Sequence, residues 1–366
     1  MITANDCRKR LQNLWGWETA GMVNSNTLKD IAKKLNVSVS TVSRAVNNKS
    51  YVKEETRQKV LQALKEYHYV PNEIARSLKS QSTKTIGVII PDICEMFFGQ
   101  IIKGIDEVVS PEGYTIIVSD SGESKTNEAR DLEMLFQKRV DALVLATVEL
   151  KGKKVLQFLD HDIPVVFIDN LPVIEQEIDA VMIDNVEASK IAMRHLIGLN
   201  HREIAVIIGS IEETTGYDRM LGYKSALREA DIPVDERLIA YGNYKENKGY
   251  ECMCALLDRI GEVPFTAVYV TSEMMTFGAI KAINDRGLRI PEDISLIGFD
   301  VHDKTGLVVP GITTVRQPES LIGTKTGELL IKRLKQKGNK KSRQTAKCRK
   351  ILLDPYLEIK QSCRKK

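Results

Sequence analysis

The chain has 366 residues, 43% hydrophobic and 28% charged, and contains no run near the ~20 apolar residues that a membrane-spanning helix needs. The net charge of +4 hides a strong asymmetry: residues 27–80 carry +6, residues 332–366 carry +12 and residues 81–331 carry −15. A basic head on an acidic body points to a polyanionic partner for the head alone. Cysteines lie scattered at positions 7, 94, 252, 254, 348 and 363, with no CxxC and no nearby histidine cluster, which reads as a reduced, cytoplasmic protein without metal.

Residues 1–26 hold Arg8, Lys9 and Arg10 but no apolar block after them, so a secretory signal is not expected. They are set aside as an extension of uncertain status. From Thr27 the pattern predicts a helix over about Leu28–Leu35, with Leu28, Ile31, Ala32 and Leu35 on one face. A turn at "NVS" follows, then a helix over about Val39–Val46 capped by Ser38. "KEETRQKVLQALKEYHY" is a third amphipathic helix, with Val60, Leu61, Leu64 and Tyr67 inward. Pro71 ends it, and "NEIARSLKS" is one more short helix before polar "SQSTK".

Two helices joined by a tight turn, the second rich in short polar residues, make a helix-turn-helix. Ala32, Val37, Val42 and Val46 would hold the pair together. A helix lying against a DNA groove wants small donors on its outer face: Ser38, Thr41 and Ser43 suit phosphate. Val39 and Ser40 stand where a recognition helix meets base edges, and the Arg44 fork matches guanine O6 and N7. A helical hairpin with a merely solvated polar face would share the pattern.

The texture changes at Thr85. "TIGVIIPD", "YTIIVSD", "DALVLAT", "PVVFIDN", "AVMID", "IAVIIGS", "TAVYVTS" and "ISLIGFD" are strand-like, and helical stretches separate most of them. Such alternation predicts α/β architecture, parallel sheets covered on both faces and divided between two lobes. Ligands of such sheets sit at the carboxyl ends of strands. Polar residues stand there, including Asp169, Thr271 and Asp300, although strand ends are polar also because they reach water.

"VSVSTVSRAVN" at 37–47 and "YVPNEIARSL" at 69–78 resemble the lac-repressor family of bacterial transcription regulators. The resemblance continues through "FFGQIIKGIDEV", "VDALVLA", "IPVVFIDN", "DRMLGYKSAL", "IPEDISLIGFD" and "TTVRQP". It implies a helix-turn-helix head over 27–70, a hinge helix and linker over 71–82, and a two-lobed periplasmic-binding-protein-like effector and dimerisation core over 83–335. A basic tail with a terminal strand would occupy 336–366. It further implies a homodimer on a pseudo-palindromic double-stranded DNA operator. A small sugar-like effector would sit between the lobes and control a transcriptional repressor. Asn47 joins the DNA-reading residues by the same motif. Leu78 would be an apolar wedge in the minor groove, supported by Ala75 one turn earlier.

For the effector, the resemblance nominates Arg219 as the cleft arginine and Asp169 and Asp300 as hydroxyl acceptors. Tyr244 would stack on the ligand, and Phe97 and Phe98 would wall the cleft. Ser272 borders it, and here the chain departs from the family: Ser272-Glu273 replaces the usual Asn-Asp, and Val301 follows Asp300 where a second Asp is common. No cofactor is expected. GxxxxGK[ST], GxSxG and HExxH are absent, which argues against the kinase and hydrolase alternatives.

Overall fold

The computed structural model describes residues 28–46, 52–67, 82–303, 306, 309–337 and 348–366. Its contacts divide the chain into Met1–Ser80 and Gln81–Lys366. The extension over 1–26, Asn47, and the hinge residues including Ala75 and Leu78 lie outside the described residues.

The head contains α1 (Leu28–Lys34), α2 (Val39–Val46) and α3 (Glu54–Glu66). Asn36 turns the chain after α1 with φ 52°, a left-handed conformation that asparagine tolerates better than most residues. Ser38 caps α2, its Oγ accepting from the Thr41 N–H at 3.0 Å. Ile31, Ala32, Val42, Ala45, Val60 and Ala63 form the small core, with Val37, Val46, Leu64 and Tyr67 packed against it. Leu61, expected to face inward, is instead 41% exposed. Positions 60, 63, 64 and 67 share one helical stripe and 61 falls off it, so Ala63 takes the inward place.

In the body, the first run of strands and helices is β1 (Thr85–Ile90), α4 (Met96–Val109), β2 (Thr115–Asp120), α5 (Lys125–Gln137), β3 (Ala142–Leu145), α6 (Leu156–Asp160), β4 (Val165–Ile168) and β5 (Asp179–Ile183). The second is α7 (Asn185–Gly198), β6 (Ile204–Ile208), α8 (Thr214–Glu229), β7 (Ile239–Tyr241), α9 (Glu246–Asp258), β8 (Ala267–Val270), α10 (Glu273–Asp285), β9 (Ser295–Phe299) and β10 (Thr313–Arg316). Then come α11 (Glu319–Lys337), β11 (Lys350–Leu353) and β12 (Tyr356–Glu358). Two six-stranded sheets result, in the orders β11-β5-β4-β3-β1-β2 and β12-β10-β9-β8-β6-β7. All pairings are parallel except β12, which runs antiparallel to β10. β3, β4, β6, β8 and β9 are buried along their whole length. Helices on both faces make that burial possible, and it explains why these strands read as unbroken apolar runs.

The chain passes between lobes three times: at Asp184, at Gln317-Pro318 and at Asp354-Pro355. After the second passage, α11 returns to the first lobe and packs on α4 with almost no gap. A Cβ on Gly104 would stand 2.6 Å from the Ser320 carbonyl oxygen, and one on Gly323 2.2 Å from that of Ile101.

The C-terminal stretch departs from the expected tail. "KILLDPYLEIK" is two strands, one completing the edge of each sheet, because Pro355 lacks the N–H that a continuous ladder requires. Asp179 at the start of β5 accepts from Arg333 Nε and Nη2 at 2.6 and 2.7 Å and from the Arg349 N–H at 2.9 Å, tying α11 and β11 to the first sheet. Ser362 is fully buried, and the Arg364 carbonyl meets His201 Nε2 at 3.0 Å.

Candidate functional site

On α2, Val42 and Ala45 face the core, while Val39, Ser40 and Arg44 are exposed and Thr41 and Ser43 are half-buried. The exposed side is therefore the one expected to read DNA. Ser38 is also exposed, but its hydroxyl is engaged with Thr41 and lies 2.7 Å from the Ser40 hydroxyl. Its first role is to hold the start of the helix.

In the body, the carboxyl ends of both sheets face one cavity of about 680 Å³, its open mouth included. All seven residues nominated from sequence line it: Phe97, Phe98, Asp169, Arg219, Tyr244, Ser272 and Asp300. Phe97 and Phe98 start α4 and meet edge to face, with ring centres 4.9 Å apart. Asp169 and Asp300 follow β4 and β9 with φ of 61° and 52°, left-handed turns that aim each carboxyl across the strand end.

Arg219 on α8 is only 5% exposed. Its Nε donates to Asn185 Oδ1 and its Nη1 to the Thr271 carbonyl, both at 2.8 Å. Its guanidinium lies 3.7 Å over the centre of the Phe299 ring. Among the described residues nothing pairs with Nη2, so this arginine is locked in place with one edge presented to the cavity. Tyr244 has φ 60°, and its hydroxyl lies 3.0 Å from Thr215 Oγ1. Gly209 leaves room for its ring: a Cβ there would fall 2.1 Å from Tyr244 Cζ.

Two nominated residues are more committed than expected. Asp300 accepts from the Gln317 N–H at 3.0 Å and from Gln317 Nε2 at 2.7 Å, so its carboxylate grips the second passage between lobes. Burial pushes its pKa up to about 6, against the pull of those bonds. The Ser272 hydroxyl caps α10 by accepting from the Met275 N–H at 3.4 Å.

The cavity also holds carboxyls that sequence reasoning did not select. Glu95 immediately precedes α4, Glu213 immediately precedes α8, and Glu123 and Glu273 also line the cavity. Burial, with Asp169, Glu123, Asp92 and Glu273 nearby, raises Glu95 to about 8. Burial and Asp169 raise Glu213 to about 7, although it accepts from Asn170 Nδ2 at 2.8 Å. Burial raises Asp169 as well, with Arg219 opposing. The only sequence signal was adjacency: Glu95 lies two residues before Phe97, and Glu213 six before Arg219.

Several contacts hold the lobes together at the cleft. Asn170 of the first lobe accepts from Thr214 Oγ1 and the Thr215 N–H, each at 3.1 Å, while Lys245 and Glu123 pair across the opening at 2.6 Å.

Residues 27–72 match the model of bacterial regulatory proteins of the lacI family, and residues 83–353 match that of periplasmic binding proteins and the sugar binding domain of the LacI family. The chain belongs to the LacI family. This LacI-family chain is 35% identical to the HTH-type transcriptional repressor PurR of Histophilus somni (strain 129Pt), over 85% of the present chain and 93% of that protein. It is 37% identical to the PurR repressor of Klebsiella pneumoniae subsp. pneumoniae, over 85% and 91%. A lac repressor dimer bound to operator and the anti-inducer ONPF superimposes with TM-score 0.79 at 25% identity, covering 92% of this chain and 99% of that one. A transcriptional regulator CelR–cellobiose complex gives TM-score 0.69 at 28% identity, with the same coverage. The LacI-family chain is an effector-controlled DNA-binding regulator. None of its described helices is long and apolar enough to cross a membrane.

Proposed function

We propose that this LacI-family regulator is a repressor, not an enzyme, that works in the cytoplasm. A homodimer reads a pseudo-palindromic operator through the exposed side of α2, with Arg44 on a guanine and Val39 and Ser40 at neighbouring base edges. Ser38, Thr41, Ser43 and Asn47 position the helix on the backbone, and Ala75 and Leu78 form the hinge contact in the minor groove. A small effector occupies the cleft, touching Phe97, Phe98 and Asp169 from one lobe and Arg219, Tyr244, Ser272 and Asp300 from the other. The carrying observation is that these residues, from two separate sheets, line a single cavity.

Control follows from linkage. A ligand that bridges the lobes stabilises one lobe arrangement. If that arrangement has a different DNA affinity, ligand and DNA must change each other's binding by the same factor. Asp300 supplies a route, because it contacts both the cavity and Gln317 in a chain passage between lobes. One similar structure, the CelR complex, holds cellobiose, and a sugar derivative fits the donors and acceptors present here. The test is a fluorescence-anisotropy titration of the full chain on selected genomic operator and on random DNA at fixed salt. Preference for the operator, altered by a cleft ligand, is the expected result; equal binding to both DNAs refutes the reading.

A further inference from the structure

We infer that the effector carries a protonated amine, held by the carboxyls of Glu95, Asp169 and Glu213, while Arg219 takes an acceptor oxygen elsewhere on the same molecule. The inference rests on the cleft being the effector site.

The charge pattern favours a cation over an anion in the cleft. Glu123 is already paired with Lys245 and Glu273 with His302, and the Asp300 oxygens are held by Gln317. The carboxyls of Glu95 and Asp169 have no hydrogen bond or ion pair with any described residue, and among those residues Glu213 has only the Asn170 amide. Against these three stands one guanidinium, and two of its donors are spent inside the protein. A phosphorylated or carboxylated ligand would place more negative charge among them. A neutral polyol would leave Glu95 and Glu213 protonated, whereas an amine would draw off their protons and pair with the ionised carboxyls. Among the described residues no group of three His, Cys, Asp or Glu side chains could hold a metal ion, so the cation proposed is an organic one.

The second observation concerns the guanidinium. Arg219 is 5% exposed and its Nη2 is unpartnered among the described residues, yet the side chain lines the same cavity. A buried donor left open in this way calls for an acceptor on the ligand. Ammonium and oxygen acceptor together describe a polyhydroxylated primary amine, such as an amino sugar. Because Glu95 and Asp169 belong to one lobe and Glu213 to the other, the ammonium would draw the two together.

The raised proton affinities fit the same picture. Burial first, then Asp169, Glu123, Asp92 and Glu273, raises Glu95 to about 8; burial first, then Asp169 and Glu123, raises Glu213 to about 7 against the Asn170 amide and Arg219. A bound ammonium favours the ionised carboxyls, so below the amine's own pKa binding should release protons and tighten as pH rises above about 6.

The test is isothermal titration calorimetry of the full chain with matched amine and hydroxyl pairs, D-glucosamine against D-glucose and D-galactosamine against D-galactose. Each is run in two buffers of different ionisation enthalpy. At least one amine should bind ten-fold or more tighter than its hydroxyl partner, with proton release, and Glu95→Gln/Glu213→Gln should erase that preference. The inference is overturned if no amine binds, if the hydroxyl sugars bind as tightly, or if the preference survives in the double variant. Arg219→Ala separates it from the reading beneath: loss of all sugar binding in that variant leaves the cleft as the site even where the amine preference fails. Sugar binding unchanged in both variants removes the cleft itself.

Discussion

Glu95→Gln tests the electrostatics of the cleft without any ligand. An ordinary glutamate titrates near 4.5, whereas Glu95 is raised to about 8, chiefly by burial and then by the surrounding carboxylates. The folded state thus holds this proton more tightly than the unfolded chain does. Below the unfolded value both states are protonated and nothing is lost. Between about 4.5 and 8 the unfolded state ionises first, so folding stability falls as pH rises. Each ten-fold difference in proton affinity corresponds to about 1.4 kcal/mol, giving an upper limit of about 5 kcal/mol for the whole interval. Water at the cleft mouth screens part of this, and about 2–3 kcal/mol is the expected effect. Glutamine mimics the protonated acid and has no charge to lose. Urea unfolding at pH 5 and pH 8 should show the variant gaining on the parent by that amount between the two. Burial lowers His302, but the hydrogen bonds its ring donates to Glu273 and Glu319 raise it overall to about 9; the stability it adds is also lost at high pH, but it is common to both proteins and cancels. Parallel stability–pH curves would refute the assignment of Glu95 as an uncompensated buried acid.

Arg44→Ala should weaken operator binding by about 1–3 kcal/mol and relax preference at one base pair per half-site, checked by anisotropy on single-base operator variants; equal loss on random DNA would make Arg44 a phosphate contact. Arg219→Ala should abolish the effector response in a gel shift. It should also destabilise the body by about 2–4 kcal/mol, because it strands Asn185 and the Thr271 carbonyl and uncovers Phe299. Arg333→Ala should cost about 3–5 kcal/mol by chemical denaturation, since it leaves Asp179 buried without its charge partner; a loss under about 1 kcal/mol would mean that solvent already screens the pair.

Much of this molecule was legible in its sequence, for reasons that also mark where reading stopped. The α2 boundaries came from a capping serine and a period of valines, both local signals. The strands came from apolar runs whose length and burial leave little choice. Leu61 was misplaced because one residue of helical phase separates inward from outward. The end of the chain was read as one strand because its two halves look alike, and only pairing with different sheets distinguishes them. Arg219 and Asp300 were found through motif resemblance. Glu95 and Glu213 belong to no motif and lie far apart in sequence, so their proximity exists only once two sheets face each other.

The three passages between lobes also bear on how the chain is made. Neither lobe is a continuous piece of sequence: the first sheet lacks an edge until Lys350–Leu353 arrives, and the second until Tyr356–Glu358 does. A ribosome delivering this body at about 5–20 residues per second exposes apolar strands for many seconds before either edge can close. The head, which uses only neighbouring helices, has no such wait. During synthesis, therefore, the DNA-reading part can fold long before the part that governs it.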